Sequence, residues 1–108
     1  MKQYPTIHLA QGATSAVELD LSDFDFGEGG VVALVVKDRR DNEFASWEFS
    51  TPEKHQILFT ADMTSMMELG SATYKYDVFH IINGEYFRQC TPSFVEVSPT
   101  VGGYRGQS

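Results

Sequence analysis

Hydrophobic residues recur along this chain in short alternating stretches, each closed by turn-forming residues, and no helical period is sustained over any length. From Thr14 to Leu21 the alternation is regular: Val17, Leu19 and Leu21 fall on one face and Glu18 and Asp20 on the other. A period of two marks a strand with one buried face, because successive side chains leave a strand in opposite directions. Phe44 to Phe49 alternates in the same way, with Trp47 and Phe49 on one face. Tyr4 to Leu9 and Gln56 to Thr60 are shorter strands. Val31 to Lys37 is apolar on both faces, which suits a central strand. Asp23 to Gly30, loosened by Gly27, Gly29 and Gly30, is a loop.

One helical stretch is expected, from about Ala61 to Leu69. Thr60 is its N-cap and Asp62 lies at the positive end of the helix dipole. Met63, Met66 and Met67 then form one apolar stripe that lids the core, and Gly70 ends the helix in the left-handed conformation. The clearest signal follows. Ala72 to Ile82 and Glu85 to Val97 flank Asn83-Gly84, the dipeptide that fits a two-residue type I′ turn. With that turn, Ile82 opposes Glu85, His80 opposes Phe87 and Asp77 opposes Cys90. Pro92 has no amide hydrogen and belongs at an edge or a bulge. Residues 1–97 thus form one domain, and 98–108 read as a flexible tail or linker. About seven strands with one helical turn between the fifth and sixth describe an all-β, immunoglobulin-like Greek-key sandwich.

Composition narrows the function classes. At 108 residues the chain has room for one core, and its 42% hydrophobic content is enough to fill it. The net charge of −7 repels phosphate backbones, so no nucleic acid is expected as a partner. Lys37, Arg39 and Arg40, broken by Asp38 and followed by Asp41, read as a solvated loop. No apolar stretch is long enough for a secretory signal or a membrane span, so no membrane is expected either. The single cysteine, Cys90, cannot form an internal disulfide and has no obvious catalytic partner, so it is read as buried and inert.

Catalytic and metal-binding patterns are missing. His8, His55 and His80 have no ligand spacing with one another or with Cys90. Asp23, Asp25 and Glu28 carry oxygen donors suited to calcium, but counting from Asp23 the twelfth position is Leu34, not the glutamate of an EF-hand. That stretch reads as a solvated acidic loop with Phe24 or Phe26 packed inward. No nucleophile elbow, phosphate loop or dinucleotide fingerprint is present. The expectation is a non-enzyme without cofactor or metal.

The segment Met67-Glu68-Leu69-Gly70-Ser71-Ala72-Thr73-Tyr74-Lys75-Tyr76-Asp77-Val78 resembles immunoglobulin-like domains. In those domains a tyrosine two residues before a large core residue often bonds back to the preceding turn, and Tyr74 stands in that tyrosine-corner position. Tyr76 then takes the place where antibody domains put a disulfide cysteine. From Thr60 to about Val97 the pattern resembles the N-terminal immunoglobulin-like domain of phage baseplate upper proteins and related prophage tail proteins. That family has a short helical turn, a leucine, a glycine and Tyr-x-Tyr-Asp, then a hairpin and a closing strand. This chain departs from it at Thr91-Pro92-Ser93, where the family often has a glycine. The resemblance implies a virion component made in the bacterial cytoplasm, partnered by other tail proteins or by itself.

The strand phase gives such contacts a place. If Tyr74, Tyr76 and Val78 face the core, Phe79 and Ile81 face out, with Arg88 and Tyr86 opposite them on the hairpin partner. These four form a candidate interface, apolar with a charged rim. The alternative is a carbohydrate- or receptor-binding module stacking sugars on Tyr86, Phe87 and Tyr104.

Overall fold

A computed structural model describes residues 2–99, with the side chains of residues 2, 3, 90 and 91 outside the description. Its elements in chain order are β1 (Lys2–Gln3), β2 (Ile7–Ala10), β3 (Ser15–Asp20), β4 (Val31–Lys37), β5 (Glu43–Phe49), β6 (Lys54–Phe59), α1 (Ala61–Ser65), β7 (Gly70–Ile82), β8 (Glu85–Arg88), β9 (Cys90–Thr91) and β10 (Ser93–Ser98). The chain is mainly β. One mixed sheet runs β2-β10-β7-β4-β5, with β8 also paired to β7; a second sheet holds β3 and β6, and β1 pairs β9. The connections 21–30, 50–53 and 60–69 carry the chain back and forth between the two larger sheets.

Alternation decides which side chains meet between these sheets. Val32, Leu34 and Val36 of β4, Tyr74, Tyr76 and Val78 of β7, and Val95 and Val97 of β10 all turn inward and are buried. From the other sheet come Leu19, Ile57 and Phe59, and Trp47 of β5 packs its ring 5.0 Å from that of Phe59. Fully burying side chains of this size contributes about 1.5–3 kcal/mol each, so this layer supplies much of the driving force for folding. Ile7 and Leu9 of β2 extend the layer beside β10, which β2 joins in parallel.

The helix is shorter than its sequence pattern predicts. Thr60 caps it, its Oγ1 accepting the Met63 N–H at 3.2 Å, but it ends at Ser65 with Met66 as C-cap. The Met67 N–H takes the Thr64 carbonyl, and the Glu68 N–H goes to the Tyr74 hydroxyl at 2.9 Å instead of continuing the ladder. The methionines therefore part company: Met67 is buried, Met63 half-buried and Met66 70% exposed. Gly70 is not the helix cap either. It opens β7 at φ +147°, a conformation that favours glycine.

Asn83 and Gly84 have φ of +53° and +80°, the left-handed pair of a type I′ turn. The register it sets is Ile82↔Glu85, Ile81↔Tyr86, His80↔Phe87 and Phe79↔Arg88. Beyond Arg88 the arm does not stay a single strand. It breaks into β8, β9 and β10, and β9 pairs with β1, so the expected opposition of Asp77 and Cys90 is not part of the ladder. Pro92 sits at the break between β9 and β10, as its missing donor requires. The arm rejoins β7 with Ser93↔Tyr76, so β7 is flanked along its length by β4 on one side and by β8 and β10 on the other. Ser98 belongs to β10 and pairs with Ala10, one residue past the expected domain boundary. The expected tail from 100 to 108 lies outside the described residues.

Candidate interaction face

On the face of β7 turned away from the core stand Lys75, Asp77, Phe79 and Ile81, and β4 adds Val31, Ala33 and Val35 beside them. Register fixes the rows: Val31, Ile81 and Tyr86 share one, Ala33, Phe79 and Arg88 the next, and Val35 and Asp77 the third. The four residues singled out from the sequence are thus brought together. The Phe79 and Tyr86 rings meet edge to face at 5.8 Å, and the Arg88 guanidinium lies over the Phe79 ring at 5.7 Å. Phe79 thus contacts Arg88 directly opposite and Tyr86 on the diagonal, both within reach of aromatic and long side chains.

The face is open to solvent but not bare. Phe79 and Ile81 are partly covered, whereas Tyr86 is 64% exposed. Trp47 takes no part in covering it, because its register partner Leu34 lies on the core side. Phe94, in register with Lys75, adds a further exposed ring along the same face.

Sequence reasoning set Asp77 against Cys90, but the structure sets it beside Arg88. It is buried, and its Oδ1 makes no hydrogen bond; the nearest cation is Arg88 Nη1 at 3.6 Å. A carboxylate oxygen shielded from water without a hydrogen bond is costly, and Arg88 supplies charge without contact at bonding distance. Its place was legible: with Phe79 opposite Arg88, Asp77 is diagonal to Arg88 on the same face. The face of Phe94 was legible too, because the break at 89–92 moves its partner only from Thr73 to Lys75, on the same face of β7.

Tyr74 is buried, and its hydroxyl reaches the turn before β7, where it accepts from Glu68 N–H; the bond falls one residue before Leu69. Tyr76 donates from its hydroxyl to the Pro5 carbonyl at 2.5 Å, tying β7 to the N-terminal segment.

The remaining candidates each sit in a local arrangement. His80 Nε2 lies 2.7 Å from the Phe26 carbonyl oxygen, which can only accept, so that nitrogen carries the proton. Both Phe24 and Phe26 pack edge-on against its ring. His55 stacks on Phe49 and bonds the Thr51 carbonyl, and His8 meets Glu96 at 2.6 Å. In the acidic loop Asp25 Oδ1 accepts from Gly27 N–H at 3.1 Å. Among the described residues no three of His, Cys, Asp and Glu converge as a metal site. The β4–β5 turn forms two ion pairs: its Arg39 reaches Glu68 at 2.7 Å, and its Asp41 stands 3.7 Å from Lys75 of β7. The side chain of Cys90 is outside the description, as is Tyr104. Tyr86 and Phe87 are consecutive in β8 and so project to opposite faces, which denies them a shared sugar-stacking platform. Among the described residues no helix is long and apolar enough to cross a membrane.

No protein-family model matches the chain, and a search of the curated proteins finds no match.

Proposed function

We propose that this protein is a non-catalytic assembly module, an immunoglobulin-like domain that joins other subunits through the outer face of its large sheet. The setting that the sequence resemblance suggests is a phage or prophage tail, with other tail proteins or a second copy as partner. The observation that carries the reading is the cluster of Phe79, Ile81, Tyr86 and Arg88 on a solvent-open sheet face. Aromatic residues and arginine are enriched where proteins meet, because they bury large area with few rotatable bonds and keep a polar handle.

The immunoglobulin-like part of the proposal rests on strand order. In that fold one sheet carries G, F, C and C′ side by side and the other carries B and E. Here β10, β7, β4 and β5 run in that order, and β3 pairs β6. The buried tyrosine at the start of β7 bonds back to the preceding turn, as a tyrosine corner does. The tryptophan departs from the antibody pattern: it stands on β5, opposite Leu34, where antibody domains carry it on the strand corresponding to β4.

The test is association. Tyr86→Asp places a charge at the most exposed point of the cluster without touching the core, so circular dichroism should match the parent. Light scattering, on the protein alone and mixed with tail proteins encoded beside it, should show a complex that the variant loses. If parent and variant associate equally, this face is not the contact surface. If the parent forms no complex with itself or with those proteins, the assembly reading fails.

A further inference from the structure

The opposite flank of the molecule has a different character. β2 is bonded to β10 along one edge and β3 to β6 along one edge; among the described residues neither carries a strand on its other edge. Between these two strands runs a crevice of about 220 Å³, whose lips include Ile7, Val17 and Leu19 and whose floor reaches Leu34, Ile57 and Tyr76 in the core. Tyr4 also lines a second hollow of about 150 Å³, with Asp20, Leu21, Asp23 and Phe24. The corner joining β2 to β3 is fixed by Thr64, whose Oγ1 accepts from Gly12 N–H at 3.0 Å and donates to the Ala13 carbonyl at 2.8 Å. One end of the seam is therefore held in place.

We propose that this seam accepts an extended, basic segment of a partner protein as an added strand. Three observations choose this occupant. First, an open strand edge beside an apolar crevice offers main-chain pairing along its length and pockets for every second side chain, the geometry of strand addition. Second, the two hollows are separate, each is smaller than the roughly 300–1,000 Å³ that holds a small-molecule ligand, and each suits single side chains. Third, the carboxylates of Glu18 and Asp23 line the two hollows, and among the described residues no lysine or arginine does. His8 on the other lip is bonded to Glu96. A second copy of this chain, at net charge −7, would bring the same carboxylates against these and be repelled. A strand with apolar residues facing the crevice and lysine or arginine facing out is favoured on both counts. This proposal is independent of the outer-face cluster.

The probe is an acetylated nonapeptide alternating lysine and valine, titrated into the full chain, beside a lysine–serine peptide of the same length and charge. Amide NMR shifts should concentrate at Ile7–Ala10 and Ser15–Asp20 with the lysine–valine peptide. At a peptide concentration about ten times Kd, amide exchange along those two edges should slow about tenfold by mass action. Glu18→Lys and Ala16→Lys, both at exposed positions on the lip, should each weaken binding by about threefold to tenfold, the order of one or two exposed charge contacts. Tyr86→Asp should leave it unchanged, which separates this result from the outer-face test. Equal binding of the lysine–serine peptide would overturn the proposal, because charge alone would then suffice. So would shifts centred away from β2 and β3, indifference to both lip variants, or no binding at millimolar peptide.

Discussion

Tyr74 shows how much one side chain settles at the residue scale. Its ring lies in the core beside Phe44, at 5.4 Å between centroids, while its hydroxyl takes the Glu68 amide that would otherwise extend α1. The same atom group thus fills the interior, stops a helix and fixes the entry into β7. Tyr74→Phe keeps the ring and removes only the acceptor, so the variant should fold and lose about 0.5–1.5 kcal/mol, the usual net for such a bond. Urea midpoints compare the two directly; equal midpoints would mean that the hydroxyl contributes packing position but no stability. Asp77 is the counterpart on the other face. Its buried, unbonded oxygen is tolerated at 3.6 Å from Arg88, and the pair anchors the charged edge of an otherwise apolar row.

At the scale of elements, the helix and the last arm show local preference yielding to tertiary demand. Met63, Met66 and Met67 have helical spacing, yet the helix stops at Ser65 and sends Met67 into the core and Met66 into solvent. Met67→Ala should therefore cost about 2–5 kcal/mol, as truncating a buried side chain does. Met66→Lys should stay within about 0.5 kcal/mol of the parent. Thermal or urea unfolding of the two variants separates this arrangement from a continuous methionine stripe, in which both changes would be costly. The hairpin behaves otherwise. Asn83 and Gly84 set the register by their own backbone preferences, and the first four pairs follow the turn. The arm then breaks between Arg88 and Ser93, because Pro92 removes a donor and β9 finds another partner in β1.

The whole molecule carries two proposed contact sides and a net charge of −7. The outer sheet face presents rings and an arginine; the seam presents two strand edges and carboxylates. The acidic loop contributes to this charge, with Asp25 engaged by the Gly27 amide and Phe26 packed inward. Calcium or zinc at millimolar concentration should leave the melting temperature unchanged, since only an ion that binds the native state raises it by mass action. A rise with calcium that disappears in the double variant Asp23→Asn, Asp25→Asn would instead make that loop a cation site.

The sequence by itself determined the approximate positions of β3 to β7, the type I′ turn and the outward phase of Phe79 and Ile81. It did not determine β1 or β9, nor that the helix follows the sixth strand and not the fifth. Each feature that it did determine depends on neighbours in the chain: a period of two says which residues share a face, and a two-residue turn says which residues oppose. Tertiary structure alone decided the length of α1, the exposure of Met66, the division of the last arm and the burial of Asp77. It also decided that β2 joins β10 in parallel while β3 pairs with β6, and so left a seam between them. Those outcomes turn on which distant groups compete for the same amide, edge or cavity, as when the Tyr74 hydroxyl takes the Glu68 N–H. No local pattern encodes the result of such a competition, because it is settled only when the sheets pack.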